Sequence, residues 1–344
     1  MIIHNAFGVD LGTSAVKVYC HHTGQTIAEK NMIAIRNGRQ VLAVGDDAFE
    51  MYEKAPDNIQ VSRPVMNGRI ADVAQVEYVL HTMIGRADRS AGYAPMIFFS
   101  APVNMSEIEK RAYYSISHAG YFRSPRVYLV DRPVCDAISL GINIPQTRGS
   151  MIVNIGGQNT DISVIANEQV IISTEISIGG QHLNEAICNE IRRQENLIVG
   201  RRTARRLKAV LATLGEDIRE TRQVTGMNTL SGLPRQGTVS SELVSFAVEG
   251  QISQLATEIR TFLERTPPQI RESVAEEGIY LTGGTTRIPS IDRYLKRVIG
   301  CPVNLSGYYE MCTIRGLAEL IRNKELQKWA YTIGKKKKKR NDSR

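Results

Sequence analysis

Apolar residues along this chain gather in short runs broken by glycine, asparagine and proline, and two of the runs follow one plan. Residues 151–165 (MIVNIGGQNTDISVI) read as an apolar strand, a tight turn at Gly156 and Gly157, and a second strand of alternating character. Residues 7–19 (FGVDLGTSAVKVY) repeat the plan, with acidic Asp10 and a turn at Gly12, Thr13 and Ser14. A glycine turn exposes backbone N–H groups and has no Cβ to hold a ligand away. Each turn can therefore lie against a phosphate or serve as a plain structural hairpin. Two such hairpins one domain length apart point to a duplicated domain. Were the two halves to face each other, their turns would grip a polyphosphate in the cleft between them.

The remaining pattern alternates strands with helices, which predicts α/β lobes, each a sheet flanked by helices. Residues 27–35 and 39–44 read as strands, and 46–63 as a polar loop. Asp72 is placed to cap a helix reaching about Gly85, with Val73, Val76, Val79, Leu80 and Met83 on one face. Residues 96–101 (MIFFSA) form a buried strand, Asn104 caps the next helix, and 126–131 is a strand leading into a helix over 133–141. A hinge is expected at 145–150. Beyond it come a helix over 181–194, a basic helix over 201–214, strands over 221–239 and a long helix over 240–265. The strand 277–281 runs into Thr282, Gly283 and Gly284 and then a helix over 289–299, an arrangement that allows close backbone approach to a ligand or merely a tight connection. A last helix spans 313–323.

Composition narrows the class. The chain has 344 residues, 42% hydrophobic, enough for two ordinary domains with sizeable cores. No apolar run approaches the roughly 18 residues of a membrane span. The first residues lack the regions of a signal peptide, so the cytoplasm is the expected compartment. Five scattered cysteines and six histidines form no zinc spacing, and read as thiols of a reducing compartment. The net charge of +8 owes much to the run 335–340 (KKKKKR), either a solvated tail or a contact for anionic lipid or nucleic acid. The basic helix carries Arg201, Arg202, Arg205, Arg206 and Lys208. It reads as a solvated charged face, and the lack of interleaved aromatics argues against a nucleic-acid partner.

Three glycine turns stand in order: Asp10-Leu-Gly-Thr, Ile155-Gly-Gly-Gln and Leu281-Thr-Gly-Gly. That order resembles the actin, Hsp70 and sugar-kinase superfamily, and within it the bacterial MreB family of rod-shape-determining actin homologues. The stretches 63–71 (RPVMNGRIA), 231–234 (SGLP), 266–268 (TPP) and 278–284 (GIYLTGG) strengthen the resemblance, which covers about residues 6–323. It implies an actin-like, ribonuclease H-like duplicated fold of two lobes with ATP between them. The first lobe is expected over 1–146, with a small subdomain at about 32–65. The second is expected over 147–330, with a small subdomain at about 181–240. A basic, disordered tail follows over 331–344. The resemblance further implies head-to-tail filaments of this chain or of other MreB-type subunits. These would lie at the inner face of the cytoplasmic membrane, working with the cell-wall synthesis machinery. A head-to-tail interface that does not close into a ring gives a filament.

By position, the resemblance assigns Gly12, Thr13 and Ser14 to the first phosphate turn and Gly156, Gly157 and Gln158 to the second. Gly283, Gly284 and Thr285 would sit by adenosine and phosphates, and Lys208 near the nucleoside. Asp10, with Asn154, would hold Mg²⁺ through water. Four positions depart from the family's pattern. Asn154 replaces an aspartate, Gln158 a glycine, and Arg205 a ribose-facing acid. Arg132 stands where a glutamate usually positions the attacking water. An arginine cannot accept a proton at neutral pH, and the adjacent Asp131 points elsewhere, so ATP hydrolysis is expected to be weak or absent. A chaperone fits less well, because no room is expected for a peptide-binding domain after the second lobe, and a sugar kinase because no sugar-binding carboxylate is identifiable. Membrane insertion has little to work with beyond Tyr93 in the loop before Met96, which leaves the basic tail as the expected contact.

Overall fold

The computed structural model describes residues 5–89, 94–118, 122–215 and 219–332. Tyr93 and the 335–340 run lie outside the described residues. The chain divides into two compact units, one of residues 1–143 with 312–344 and the other of 144–311.

The first unit is built on a five-stranded sheet ordered Arg126–Asp131, Met96–Ala101, Ala6–Leu11, Ala15–Cys20 and Thr26–Lys30. The first three strands run parallel and the last three are joined antiparallel. The central strands AFGVDL and MIFFSA are buried almost throughout, which is why they read as continuous apolar runs. The edge strand Thr26–Lys30 is half polar. Helix Val73–Ala87 covers one face through Val76, Val79, Leu80, Met83 and Ile84. Each such fully buried aliphatic side chain contributes about 1.5–3 kcal/mol. Asp72 caps this helix as its position predicts, accepting from the Gln75 N–H at 3.0 Å.

The second unit repeats the topology. Its five-stranded sheet is ordered Gln169–Ile176, Thr160–Ala166, Ser150–Ile155, Ile279–Thr282 and Val303–Leu305. The first three are again antiparallel and the last three parallel. Ser150–Ile155 thus corresponds to Ala6–Leu11, Thr160–Ala166 to Ala15–Cys20, and Ile279–Thr282 to Met96–Ala101. The duplication read from two hairpins therefore extends to the third strand of each sheet. Helices Gly180–Glu195, Ser241–Arg265 and Ile291–Ile299 bury their apolar faces in the core of this unit. Among the described residues no helix is long and apolar enough to cross a membrane.

Several expectations need correction. The run 27–35 is broken at Asn31 into Thr26–Lys30 and Ile33–Arg36, which belong to different sheets. The expected polar loop 46–63 holds helix Asp46–Met51 and strand Ile59–Ser62, and the latter pairs with Ile33–Arg36 over a small cluster of Met32, Ala34 and Ala48. The helix after Asn104 is capped by Ser106, whose Oγ accepts from Glu109 N–H at 3.3 Å while Glu109 Oε2 accepts from Ser106 N–H at 2.7 Å. This is a reciprocal capping box.

The largest difference lies at the C-terminus. Residues 312–330 group with the first unit, not the second. Helix Cys312–Arg322 packs on Ala6–Leu11 and on helix Arg132–Ser139. Gly316 makes this possible, because a Cβ there would fall 1.8 Å from the Cys135 carbonyl oxygen. Thr313 Oγ1 also donates to the buried Asp136 at 2.6 Å. Tyr331, expected in the tail, instead exchanges backbone hydrogen bonds with Leu129 at 2.8 and 2.9 Å.

Candidate functional site

In the first unit the turn at Gly12, Thr13 and Ser14 joins Ala6–Leu11 to Ala15–Cys20. Gly12 leaves no room for a side chain, since a Cβ would lie 2.6 Å from the Ala15 carbonyl oxygen. Thr13 is buried and Ser14 exposed. The turn is anchored by the buried Asn31. Its Nδ2 donates to the carbonyls of Thr13 at 3.1 Å and Val65 at 2.6 Å, and its Oδ1 accepts from the Val65 N–H at 3.2 Å.

Antiparallel register sets Asp10 opposite Lys17, and parallel register sets it beside Ser100. Directly paired residues share a face of the sheet. The Lys17 ammonium accordingly meets Asp10 Oδ2 at 2.7 Å, and Ser100 Oγ donates to Oδ1 at 2.7 Å. Both side chains of the ion pair are buried, at 7% and 6% exposure. Burial alone would raise the Asp10 carboxyl. Lys17, then the Arg132 guanidinium, then hydrogen bonds from Lys17 and Ser100 outweigh it and hold the group below the usual carboxylate range. The ammonium also lies 3.8 Å from where a Gly12 Cβ would stand, so it faces the turn.

Helix Arg132–Ser139 begins at the end of strand Arg126–Asp131 with Pro133 in its first turn. Arg132 is half-buried and Asp131 is buried. Asp131 Oδ1 accepts from the Tyr331 hydroxyl at 3.0 Å. Burial first, and then Asp131, push that phenol far above its ordinary value.

In the second unit the corresponding turn is closed by Gly156 N–H on the Asn159 carbonyl at 2.9 Å. Its carbonyls dock on the start of helix Gly180–Glu195. Gly180 N–H donates to Gly156 O at 3.0 Å and Gln181 N–H to Gly157 O at 2.7 Å. Thr285 Oγ1 adds a hydrogen bond to the same Gly156 carbonyl at 2.8 Å. Lys208 reaches from helix Arg201–Leu211 and donates to Gly180 O at 2.6 Å. A Cβ on Gly180 would stand 2.9 Å from Thr285 Oγ1 and 3.2 Å from Lys208 Nζ, so this glycine keeps the corner open. Burial, and then the neighbouring positive charge of Arg205, lower Lys208 to about 8.

The structure thus brings Gly156, Gly157, Lys208 and Thr285 together. Gln158 is buried beside them, its Nε2 on Gln181 Oε1 at 3.3 Å. Arg205 is exposed one turn before Lys208 on the same helix. Gly283, at φ 93, faces strand Ser150–Ile155, where a Cβ would meet Ile155 O at 2.4 Å and Asn154 Oδ1 at 2.7 Å. Gly284 opens a short 3-10 turn, Gly284–Arg287, with Glu310 beyond it. Asn154 occupies the place of Asp10, opposite Asp161 and beside Thr282.

Asp10 and Asn154 stand at equivalent strand positions, the one an acid and the other an amide. Both Asp10 oxygens are engaged by Lys17 and Ser100, and Asn154 is neutral. Among the described residues no group of three or more His, Cys, Asp or Glu could hold a metal ion. Sequence reasoning missed Lys17 and Asn31. A lysine inside the buried strand AVKVYC was the available signal for the first. Asn31 carried none, because its role depends on three backbone segments meeting in space.

Comparison with known proteins adds the relatives. The profile of the family described as MreB/Mbl protein matches residues 4–328. The cell shape-determining protein MreB of Escherichia coli K12 is 32% identical over 321 residues, 91% of this chain and 92% of that one. MreB5 of Spiroplasma citri, solved bound to AMPPNP, superposes with a TM-score of 0.88 at 25% identity, over 94% of this chain and 97% of that one. MamK in a double helical filament gives 0.75 at 20%, over 93% and 99%. The actin-like fold implied by the glycine turns is borne out.

Proposed function

The chain belongs to the MreB/Mbl family, and on that premise we propose that it is a cytoskeletal protein that binds ATP through its two glycine turns. One observation carries this reading. Two topologically equivalent hairpins each carry a glycine turn; Lys17 faces the first, and in the second unit Lys208 holds the Gly180 carbonyl, the residue whose N–H docks on Gly156 O. A nucleoside triphosphate needs positive charge and open backbone more than it needs covalent chemistry. The AMPPNP complex of the Spiroplasma citri relative supports the ligand class.

Hydrolysis is slow or absent in this reading. Arg132 cannot take a proton from water, and Asp131 is engaged by Tyr331. Loss of general-base help lowers a rate by roughly 10²–10⁴-fold, while binding, resting on the turns, survives. Self-assembly into filaments follows the MamK relative, and control of cell shape follows the Escherichia coli relative. The filaments would lie in the cytoplasm against the inner membrane, with the 335–340 run drawn to anionic lipid. Arg132 and Asn154 also favour a second reading, in which the chain is a non-hydrolysing partner that co-assembles with an active MreB.

Titration of the purified chain with a fluorescent ATP analogue tests the binding, and phosphate release tests the turnover. Electron microscopy of the same samples tests assembly. Saturable binding, negligible turnover and filaments from this chain alone are expected. Filaments only on mixing with a second MreB would select the partner reading, and turnover at an ordinary family rate would remove the hydrolysis claim.

A further inference from the structure

The first glycine turn is held from behind by a side chain that fixes the direction of its amides. We infer that Asn31 is the positioning residue of the phosphate turn: by holding two successive carbonyls of that turn, it aims the Ser14 and Ala15 N–H groups at the phosphate oxygens of the ligand. The inference rests on the ATP-binding reading above.

Asn31 Nδ2 donates to Thr13 O at 3.1 Å, and the Asn31 backbone N–H donates to Ser14 O at 3.3 Å. In a trans peptide the carbonyl oxygen and the following N–H point to opposite sides of the chain. With both oxygens drawn to Asn31, the N–H groups of Ser14 and Ala15 point away from it. Strand register gives the same direction independently. Ladder bonds alternate along an antiparallel pair. Ser14 is bonded to Asn31, so Ala15, paired with Lys30, turns its N–H off that strand. Ser14 is exposed, and its N–H meets no acceptor among the described residues. Successive backbone N–H groups on one side of a turn make an anion-binding concavity.

Asn31 has one orientation that fits. It is buried, at 1% exposure. Its second Nδ2 proton goes to Val65 O at 2.6 Å, and its Oδ1 accepts from Val65 N–H at 3.2 Å. Both side-chain N–H donors are thus spent. Turning the amide over would set Oδ1 against two carbonyl oxygens. Strand Val65–Met66 therefore locks the residue that aims the turn.

The test is titration of the full chain with a fluorescent ATP analogue, in the parent and in Asn31→Asp and Asn31→Ala. Asn31→Asp keeps the shape, but its carboxylate repels the Thr13 and Val65 carbonyls. Both variants are expected to weaken binding by about tenfold or more, the loss of one hydrogen bond to a charged group. Val79→Ala, a truncation in the first-unit core, is the control for lost stability and should bind within about threefold of the parent. The parent supplies a measurement that needs no variant to fold: saturating ATP should slow hydrogen exchange of the Ser14 and Ala15 amides by about fivefold or more. Bound ATP that leaves both amides exchanging as before would overturn the inference and leave the ATP reading standing. So would a folded Asn31→Asp that binds like the parent, or an equal loss of binding in Val79→Ala. No binding by the folded parent would remove both.

Discussion

The two glycine corners share a backbone plan and solve the placement of charge differently. In the first unit the cation comes from the hairpin itself, seven residues from its acid. In the second it comes from Lys208, 28 residues beyond the carbonyl it touches, and the hydroxyl of Thr285 lies 129 residues beyond Gly156. The first corner is therefore set by strand register, and the second by how helices and a late loop pack on the sheet. A duplicated frame conserves where backbone can approach a ligand, but it does not dictate which side chains arrive there.

The contrast can be broken at several points. Asp10→Asn should have the largest effect, because it leaves a buried ammonium without its acid; breaking such a pair destabilises by about 3–5 kcal/mol. Urea unfolding would measure it, and adding Lys17→Met should recover much of the loss. A loss below about 1 kcal/mol would mean the pair does not hold this corner. Gly283→Ala comes next. It forces a side chain onto φ 93 and against Ile155 O, and about 2–4 kcal/mol should be lost in the same assay. Gly284→Ala is its control, because its Cβ would meet only the Glu310 side chain, Cβ at 3.4 Å and Oε2 at 3.8 Å.

The next effect depends on pH. Folded Lys208 gives up its proton near 8, against an ordinary value of 10.5. Between those values the unfolded chain binds more protons, so stability should rise as pH climbs from 8 towards 10. Lys208→Met should flatten that rise, and an identical slope in the variant would show that another group is responsible. Asn154→Asp is the mildest change. It sets a carboxylate opposite Asp161, and a like-charge pair across a ladder should cost about 0.2–1 kcal/mol in thermal melts.

Much of this was legible before the structure. The paired hairpins, the helix cap at Asp72 and the three glycine corners all follow from local pattern, because a tight turn and a capped helix are local events. What stayed hidden needed register or packing. Lys17 reads as one polar residue in an apolar strand until its partner across the ladder is known. Asn31 sits inside what reads as a single strand, 27–35, and its contacts with Thr13 and Val65 join segments that no spacing rule connects. Strand Ile59–Ser62 was lost in a polar stretch because it forms the edge of a small sheet and is only half-buried.

Helix Cys312–Arg322 carries one more consequence. It covers strand Ala6–Leu11, where Gly8 would place a Cβ 3.2 Å from Ile321 and 3.3 Å from Leu317. This strand, which precedes the second unit in the chain, is thus finished by a helix that follows it. While the intervening unit is being synthesised, that face of the nascent sheet stays uncovered, a state that exposes apolar surface to other chains. The second unit, continuous in sequence, has no such wait and can close as soon as it emerges.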